Sequence, residues 1–227
     1  GKFVNADMSI SGGNKKSNYY VGAAASHREG IIRTNSMDKI NLSFKLNHKF
    51  NKWLEVGANN SANYIKNNQV PGHNSGAMII GRAILQRPFD RPYAPDGSYF
   101  TGGTDALTYH NAIQILNEEI SYIENLRFIG SYYATLKFFE DKLTFKNSVN
   151  TDVLALYDYT NYFATHPYGE GVGLITDRNQ TTLNYSIESV LNYNDTLLDG
   201  DVNYNLMLGH SWYSTRYHNV YLQGKGF

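Results

Sequence analysis

The chain has 227 residues, 20 Lys+Arg against 20 Asp+Glu, and no cysteine. That length fits one large domain or two small ones, the balanced charge gives no field aimed at nucleic acid or an anionic surface, and the missing thiols exclude disulfides, thiolate zinc sites and cysteine nucleophiles. No apolar run approaches the ~18–20 residues of a membrane helix, and the mean hydropathy is −0.46; a helical membrane protein is excluded, but not a membrane β-barrel, whose alternating strands average out as polar.

Eight segments alternate with period two. The first is 3–11, with Val4, Ala6, Met8 and Ile10 in phase. The second is 18–28, with Tyr19, Val21, Ala23 and Ala25. In 38–49, Ile40, Leu42, Phe44 and Leu46 alternate with Lys39, Asn41, Ser43 and Lys45. The fourth is 53–66, with Leu54, Val56, Ala58, Ala62 and Tyr64. The fifth, 120–138, carries Ile120, Tyr122, Leu126, Phe128, Tyr132, Ala134, Leu136 and Phe138 on one parity. The sixth, 142–157, carries Leu143, Phe145, Val149, Val153 and Ala155. The seventh is 181–194 and the eighth 201–213, the latter with Val202, Leu206, Leu208 and Trp212. Alternation this long predicts strands with one apolar and one polar face. Several exceed the ~5–6 residues usual in globular sheets and reach the ~9–11 that a membrane strand needs. A soluble sandwich would cover the apolar face with a second sheet; a barrel would cover it with lipid.

The connections alternate in length. "GGNKKS", "FNK", "FEDK" and "DTLLDG" are short, whereas "EGIIRTNSM", the stretch 67–119 and the stretch near 159–178 are longer. Tight turns at one end and long loops at the other are the barrel pattern. Of the 19 Tyr, 11 Phe and 2 Trp, many fall at segment ends, among them Tyr19, Tyr20, Trp53, Tyr64, Phe138, Tyr157, Tyr193 and Trp212. Amphipathic rings suit a membrane interface, although strands in general are rich in them.

The long loop 67–119 holds two helix-like stretches. "GAMIIGRAILQR" (76–87) is apolar at helical spacing, and "DALTYHNAIQILNEE" (105–119) can start on Asp105 as N-cap, with Leu107, Ala112, Ile113 and Leu116 as its stripe. Between them "RPFDRPYAPDGSY" is stiffened by three prolines, with Asp96-Gly97 as a turn. It offers Arg87, Phe89, Asp90, Arg91, Tyr93 and Tyr99 as ligand-binding candidates: aromatics to stack, Arg and Asp to hydrogen-bond, and a loop that loses little order on binding. The same residues could instead pack the loop onto the wall.

Catalytic patterns are missing. The seven His show no HExxH spacing, "SGGN" and "TGGT" lack the Lys-Ser/Thr of a phosphate loop, and "GEGVGL" (169–174) does not sit between a strand and a helix. Glu118-Glu119, Glu140-Asp141 and Asp199 with Asp201 are carboxylate pairs without the facing cleft a glycosidase requires. The expectation is no enzyme, no catalytic residue, no metal and no cofactor.

"SISGGNKKSNYYVGAAASHREGII" (9–32), "INLSFKLNHKFNKWLEVGANNSANY" (40–64) and "RPYAPDGSY" (91–99) resemble signature stretches of the SusC/RagA family of TonB-linked outer-membrane transporters. The second strand departs from the family pattern at "AAASHREG", and the Arg often found before the third strand is missing. The resemblance implies an all-β fold: an antiparallel up-and-down transmembrane β-barrel segment of about eight strands with a long external loop containing short helices. It implies a segment from the first third or so of a ~22-stranded barrel, without plug domain, TonB box or signal sequence. It implies a place in the cell outer membrane, import of oligosaccharides or peptides, and as partners a SusD-like surface lipoprotein, TonB acting through the plug, outer-membrane lipid and a glycan or peptide ligand; no nucleic acid is expected. The competing reading is a soluble or surface β-sheet module that binds carbohydrate or protein without transport.

Overall fold

The computed structural model describes residues 1–70, 79–85, 90–100, 111–198 and 201–226. Period-two alternation becomes one eight-stranded antiparallel sheet in plain sequence order. Its strands are β1 (Phe3–Gly13), β2 (Ser17–Glu29), β3 (Ser36–Lys49), β4 (Leu54–Asn68), β5 (Glu119–Phe138), β6 (Leu143–Tyr162), β7 (Leu174–Leu197) and β8 (Val202–Lys225). Two short helices, α1 (Ile79–Leu85) and α2 (Ala112–Glu118), lie in the connection between β4 and β5. Four tight turns therefore close one end, and the three longer connections gather at the other.

Two of the tight turns are closed by an asparagine side chain. Asn14 Oδ1 accepts from the Lys16 and Ser17 N–H groups at 2.7 and 2.8 Å, and Asn51 Oδ1 accepts from Trp53 and Leu54 N–H at 2.9 and 2.8 Å. An Asx turn of this kind satisfies backbone donors that the ladder cannot reach. It also fixes the register of each hairpin, and with it the face on which every side chain lands.

Register keeps one parity apolar across the sheet. Met8, Ala23, Leu42, Ala62, Phe128, Val153 and Leu183 are successive cross-strand partners. The row one residue over is polar except at Ile129: Ser43, Ser61, Ile129, Asp152, Asn184 and Thr215. On β4 the apolar parity runs from Leu54 to Tyr64. Ten steps of ~3.3 Å rise, tilted by ~40–45°, give a band of roughly 25 Å.

The band has a charged border on the long-loop side. His27, Asp38, Lys66, Glu124 and Tyr157 are partners along one row of the apolar parity. His27 Nδ1 lies 2.6 Å from Asp38 Oδ1, and Lys66 Nζ lies 2.8 Å from Glu124 Oε1. On the tight-turn side the border is aromatic and charged: Tyr193 donates to Asp195 at 2.8 Å, and Lys142 pairs with Asp195 at 2.7 Å. Within the band the polar Asn147 and Ser189 satisfy each other, Nδ2 donating to Oγ at 2.7 Å.

Among the described residues no protein layer covers the band. Among the described residues the buried hydrophobics are Ile79, Ala112, Ile115 and Leu174, all at the long-loop end. Met8 is 75 % exposed, Leu126 54 % and Leu208 72 %. A sandwich would have buried these side chains against a second sheet, so the soluble-sandwich geometry is not what this sequence builds.

Strands seven and eight extend well past 181–194 and 201–213. β7 starts at Leu174 and β8 continues to Lys225. The additions split: 174–179 and 220–225 lie at or beyond the charged border, where water can meet both faces and the backbone needs no apolar side, whereas 214–219 stays level with the band, Arg216 pairing with Leu183 and His218 with Thr181. Alternation fades while the hydrogen-bonded ladder continues.

The polar face is close-packed in places. A Cβ at Gly57 would meet the Tyr133 ring at 2.4 Å. The Tyr133 hydroxyl donates to Asn47 Oδ1, and the Lys146 ammonium lies 4.7 Å from the ring centroid. Gly57→Ala must push this ring off its strand. In the full-length protein that carries the segment, the substitution is expected to destabilise the barrel by ~1–3 kcal/mol, read as a lower urea midpoint in detergent; an unchanged midpoint would mean that the Tyr133 ring has room to shift.

Candidate functional site

The long-loop end is knit together by a few polar side chains. Residues 92–100 form a small hairpin: Tyr93 bridges Tyr99, Phe100 N–H donates to Pro92 O at 3.1 Å, and Gly97 N–H donates to Ala94 O at 3.0 Å. The turn needs the left-handed φ of +85° at Gly97, which glycine adopts without strain. Asp96 Oδ1 accepts from Ser98 Oγ at 2.7 Å and Ser98 N at 3.0 Å. The Ser98 hydroxyl, followed by its N–H, holds the Asp96 carboxyl below the usual carboxylate range.

Asn111 joins this hairpin to α2. Its Oδ1 caps the helix, accepting from Ile113 N–H at 2.9 Å and Gln114 N–H at 3.3 Å. Its Nδ2 donates to Pro92 O at 2.7 Å and Phe100 O at 3.1 Å. The described α2 is thus capped at Asn111, whereas the predicted cap Asp105 lies outside the described residues. Asn111 is an N-cap type, but it sits inside the predicted helix, and only its partners mark it as the start.

The buried side of α2 also differs from the predicted stripe. It comprises Ala112, Gln114, Ile115 and Glu118, while Ile113 and Leu116 are half-buried. Ile115 packs with Ile79 in the small core, to which Ile32, Val70, Leu116 and Tyr168 add. Gln114 and Glu118 turn toward the 163–173 loop. Gln114 Nε2 donates to Thr165 O at 2.6 Å and to Glu118 Oε2 at 2.9 Å, and Thr165 Oγ1 donates to Glu118 Oε1 at 2.7 Å. A hydrophobic period cannot detect such a face, because hydrogen bonds rather than apolar area make its burial tolerable.

Glu118 and Glu119 go separate ways. Glu119 faces His166, whose Nε2 lies 3.7 Å from its carboxylate in a site with neither side chain more than 2 % exposed. The Tyr168 N–H donates to His166 Nδ1 at 3.1 Å, which places the imidazole proton of the neutral ring on Nε2, facing the carboxylate. Tyr162 and Tyr168 flank that ring at 4.9 and 5.7 Å. This fastens the 163–173 loop to the start of β5, and the two carboxylates do not face each other as a catalytic pair. "GEGVGL" is likewise a turn, with Glu170 paired to Lys225 at 2.6 Å.

Of the predicted ligand-binding residues, Arg87 and Phe89 lie outside the described residues. Asp90 is half-buried and engaged with neighbours. Arg91 is exposed. Tyr93 and Tyr99 come together, ring centroids 5.5 Å apart at 31°. Tyr93 is 45 % exposed. Tyr99 is tied down: its hydroxyl accepts from Asn117 Nδ2 at 2.9 Å, and Asn117 Oδ1 accepts from Arg33. Arg33, Asn111 and Asn117 carry no motif and are not singled out by sequence; they matter because the β2–β3 connection meets two separate stretches of the β4–β5 connection here.

Asn111→Ala removes the cap and both ties to the hairpin. The expected outcome is at least tenfold faster amide exchange across 93–100, with the β5–β6 ladder unchanged. Hydrogen-exchange mass spectrometry of the full-length protein checks it; unchanged protection would mean that the hairpin is held elsewhere.

No family model matches the chain. Two curated relatives come from Formosa agariphila. TonB-dependent receptor P26 is 28% identical over 131 residues, covering 57% of this chain and 12% of the relative. TonB-dependent receptor P3 is 22% identical over 236 residues, covering 100% of this chain and 23% of the relative. Among solved structures, the RagAB peptide transporter superposes with a TM-score of 0.79 at 18% identity, covering 99% of this chain and 26% of that one. The RagAB peptide importer in the "closed-closed" state gives 0.77 at 18% identity, with 98% and 25% coverage. The chain thus spans about a quarter or less of the proteins it matches. Eight in-register strands, tight turns at one end, an apolar band that no described residue covers and these likenesses converge: the chain has the fold of a section of a transporter β-barrel wall and is similar in sequence to two TonB-dependent receptors.

Proposed function

We propose that this segment forms part of the wall and outer mouth of an outer-membrane transporter that imports oligosaccharides or peptides. The observation that carries the reading is the two-faced sheet: an apolar band of membrane height on one side, a polar wall on the other, and a fastened loop cluster at one end only. Lipid takes the apolar side because it asks for no hydrogen bonds. The polar side faces the lumen, where Arg127 holds Asp152 through two bonds of 2.9 and 2.7 Å. Asn184 there accepts from Tyr213 and Thr215 at 3.1 and 2.9 Å.

Capture happens at the loop cluster. Tyr93 stacks on a sugar ring or a peptide side chain, and Arg91 reaches a carboxylate, carbonyl or hydroxyl. Tyr99 acts beneath them as a positioning residue through Asn117. The SusD-like lipoprotein closes over this mouth, and Ile31, 96 % exposed in the β2–β3 connection, offers it an apolar contact. Energy reaches the bound ligand through TonB and a plug.

Uptake of a labelled panel of peptides and oligosaccharides by cells carrying the full-length protein tests this. The proposal expects at least one class to enter and uptake to stop when the proton gradient is collapsed. It also expects Tyr93→Ala to weaken capture about tenfold, the ~1–1.5 kcal/mol of a stacking contact. Uptake that ignores the proton gradient would contradict the transport reading, and wild-type capture by both Tyr93→Ala and Arg91→Ala would move the site elsewhere.

A further inference from the structure

The outward side of β5–β7 has a groove of about 260 Å³ that straddles the charged border. It exists because Ala155 and Thr181 are short, while Tyr64 and Tyr157 stand up around them. Its floor, Leu126 and Ala155, runs on into the Phe128–Val153–Leu183 row of the apolar band. Its other rim is polar. Glu124 is held by Lys66 at 2.8 Å. Tyr157 donates to Asp177 Oδ2 at 3.0 Å, and Asn179 Nδ2 donates to Asp177 Oδ1 at 2.6 Å. Just beyond, Tyr122 and Tyr159 lie 5.1 Å apart, with Tyr157 6.2 Å from Tyr159 and the Lys66 ammonium 4.5 Å from the Tyr122 ring.

We propose that this groove seats one glycolipid, an acyl chain along Leu126 and Ala155 and its first sugar against the carboxylate and tyrosine rim. The inference rests on the membrane-barrel reading, which places lipid on this side. An amphiphile is required because apolar floor and polar rim adjoin within one depression. A sugar head fits the rim better than a phosphate: Glu124 and Asp177 accept from hydroxyls, and tyrosine faces stack on C–H surfaces. Two carboxylates against one ammonium leave the rim net negative, which repels an anionic head. A second depression on the same side, lined by Ala6, Met8, Ala23, Ala25, Ile40 and Leu42, has about 320 Å³ but an apolar wall. It has no comparable cluster of carboxylates and tyrosines and provides the control.

The test is native mass spectrometry of the full-length protein, extracted from its own outer membrane in mild detergent, with sugar and phosphate analysis of the retained lipid. Wild type is expected to keep about one glycolipid. Ala155→Phe, which fills the groove, is expected to lower occupancy at least tenfold, Asp177→Asn several-fold, and Ala23→Phe not at all. Equal glycolipid retention by wild type and Ala155→Phe, retention of phospholipid instead, or no retained lipid in wild type overturns the proposal. Membrane fractionation of the same cells separates the two claims: a receptor that still resides in the outer membrane leaves the barrel reading standing when the groove fails. Asp177→Asn keeps the proposal open to refutation if Ala155→Phe does not fold.

Discussion

An apolar surface that none of the described residues covers governs everything else in this molecule. Burying it in water-soluble form would take a second layer, and the described chain builds only a two-helix patch at one end. Hydrocarbon solves the problem without demanding hydrogen bonds, but only for a backbone that satisfies its own donors and acceptors. The eight-strand meander does so at every internal strand. A one-residue slip in any hairpin would send polar side chains into the band and apolar ones into the lumen. Asn14 and Asn51, which lock two of the turns, therefore matter well beyond the backbone bonds they complete.

The two faces are stabilised differently. Outward side chains gain from lipid and from their borders, where charge pairs such as Lys66–Glu124 mark the edge of the band. The other face depends on side-chain networks: Arg127 with Asp152, Asn184 with Tyr213 and Thr215, Asn150 with Ser131 and Ser186. Satisfied networks of this kind hold a wall in one conformation. The loop cluster uses the same economy, with Asn111 serving a helix cap and two hairpin carbonyls at once.

Much of this was legible in the sequence. Leu42, Phe44 and Leu46 alternate with Asn41, Ser43 and Lys45, so face and strand could be read together. Legibility stopped where the alternation stops. On β8 it lapses from Ser214, still level with the band, with Arg216 opposite Leu183; the ladder then runs on past the charged border to Leu174 on β7 and Lys225 on β8, and nothing in the composition of these ends announces strand. The loops were less legible still. Gln114 and Glu118 are buried by hydrogen bonds to Thr165, some fifty residues away, a contact no local pattern encodes. Tyr99 was chosen as an aromatic on a stiff loop, and its bond to Asn117 gives it a structural task beside any ligand. The glycolipid groove comes from short side chains at Ala155 and Thr181, whose meaning appears only when taller neighbours on adjacent strands are in place.

Spin-label accessibility along the two parities tests the central claim most directly. This segment has no cysteine of its own, so single cysteines at Leu42, Phe128 and Val153 can be compared with others at Asn41, Asp152 and Asn184 in the full-length protein in bilayers. The account predicts that labels on the first set collide with dissolved oxygen and are shielded from a water-soluble nickel reagent, and that the second set is shielded from oxygen. First-set labels immobile and closed to both reagents would mean that protein, not lipid, covers the band.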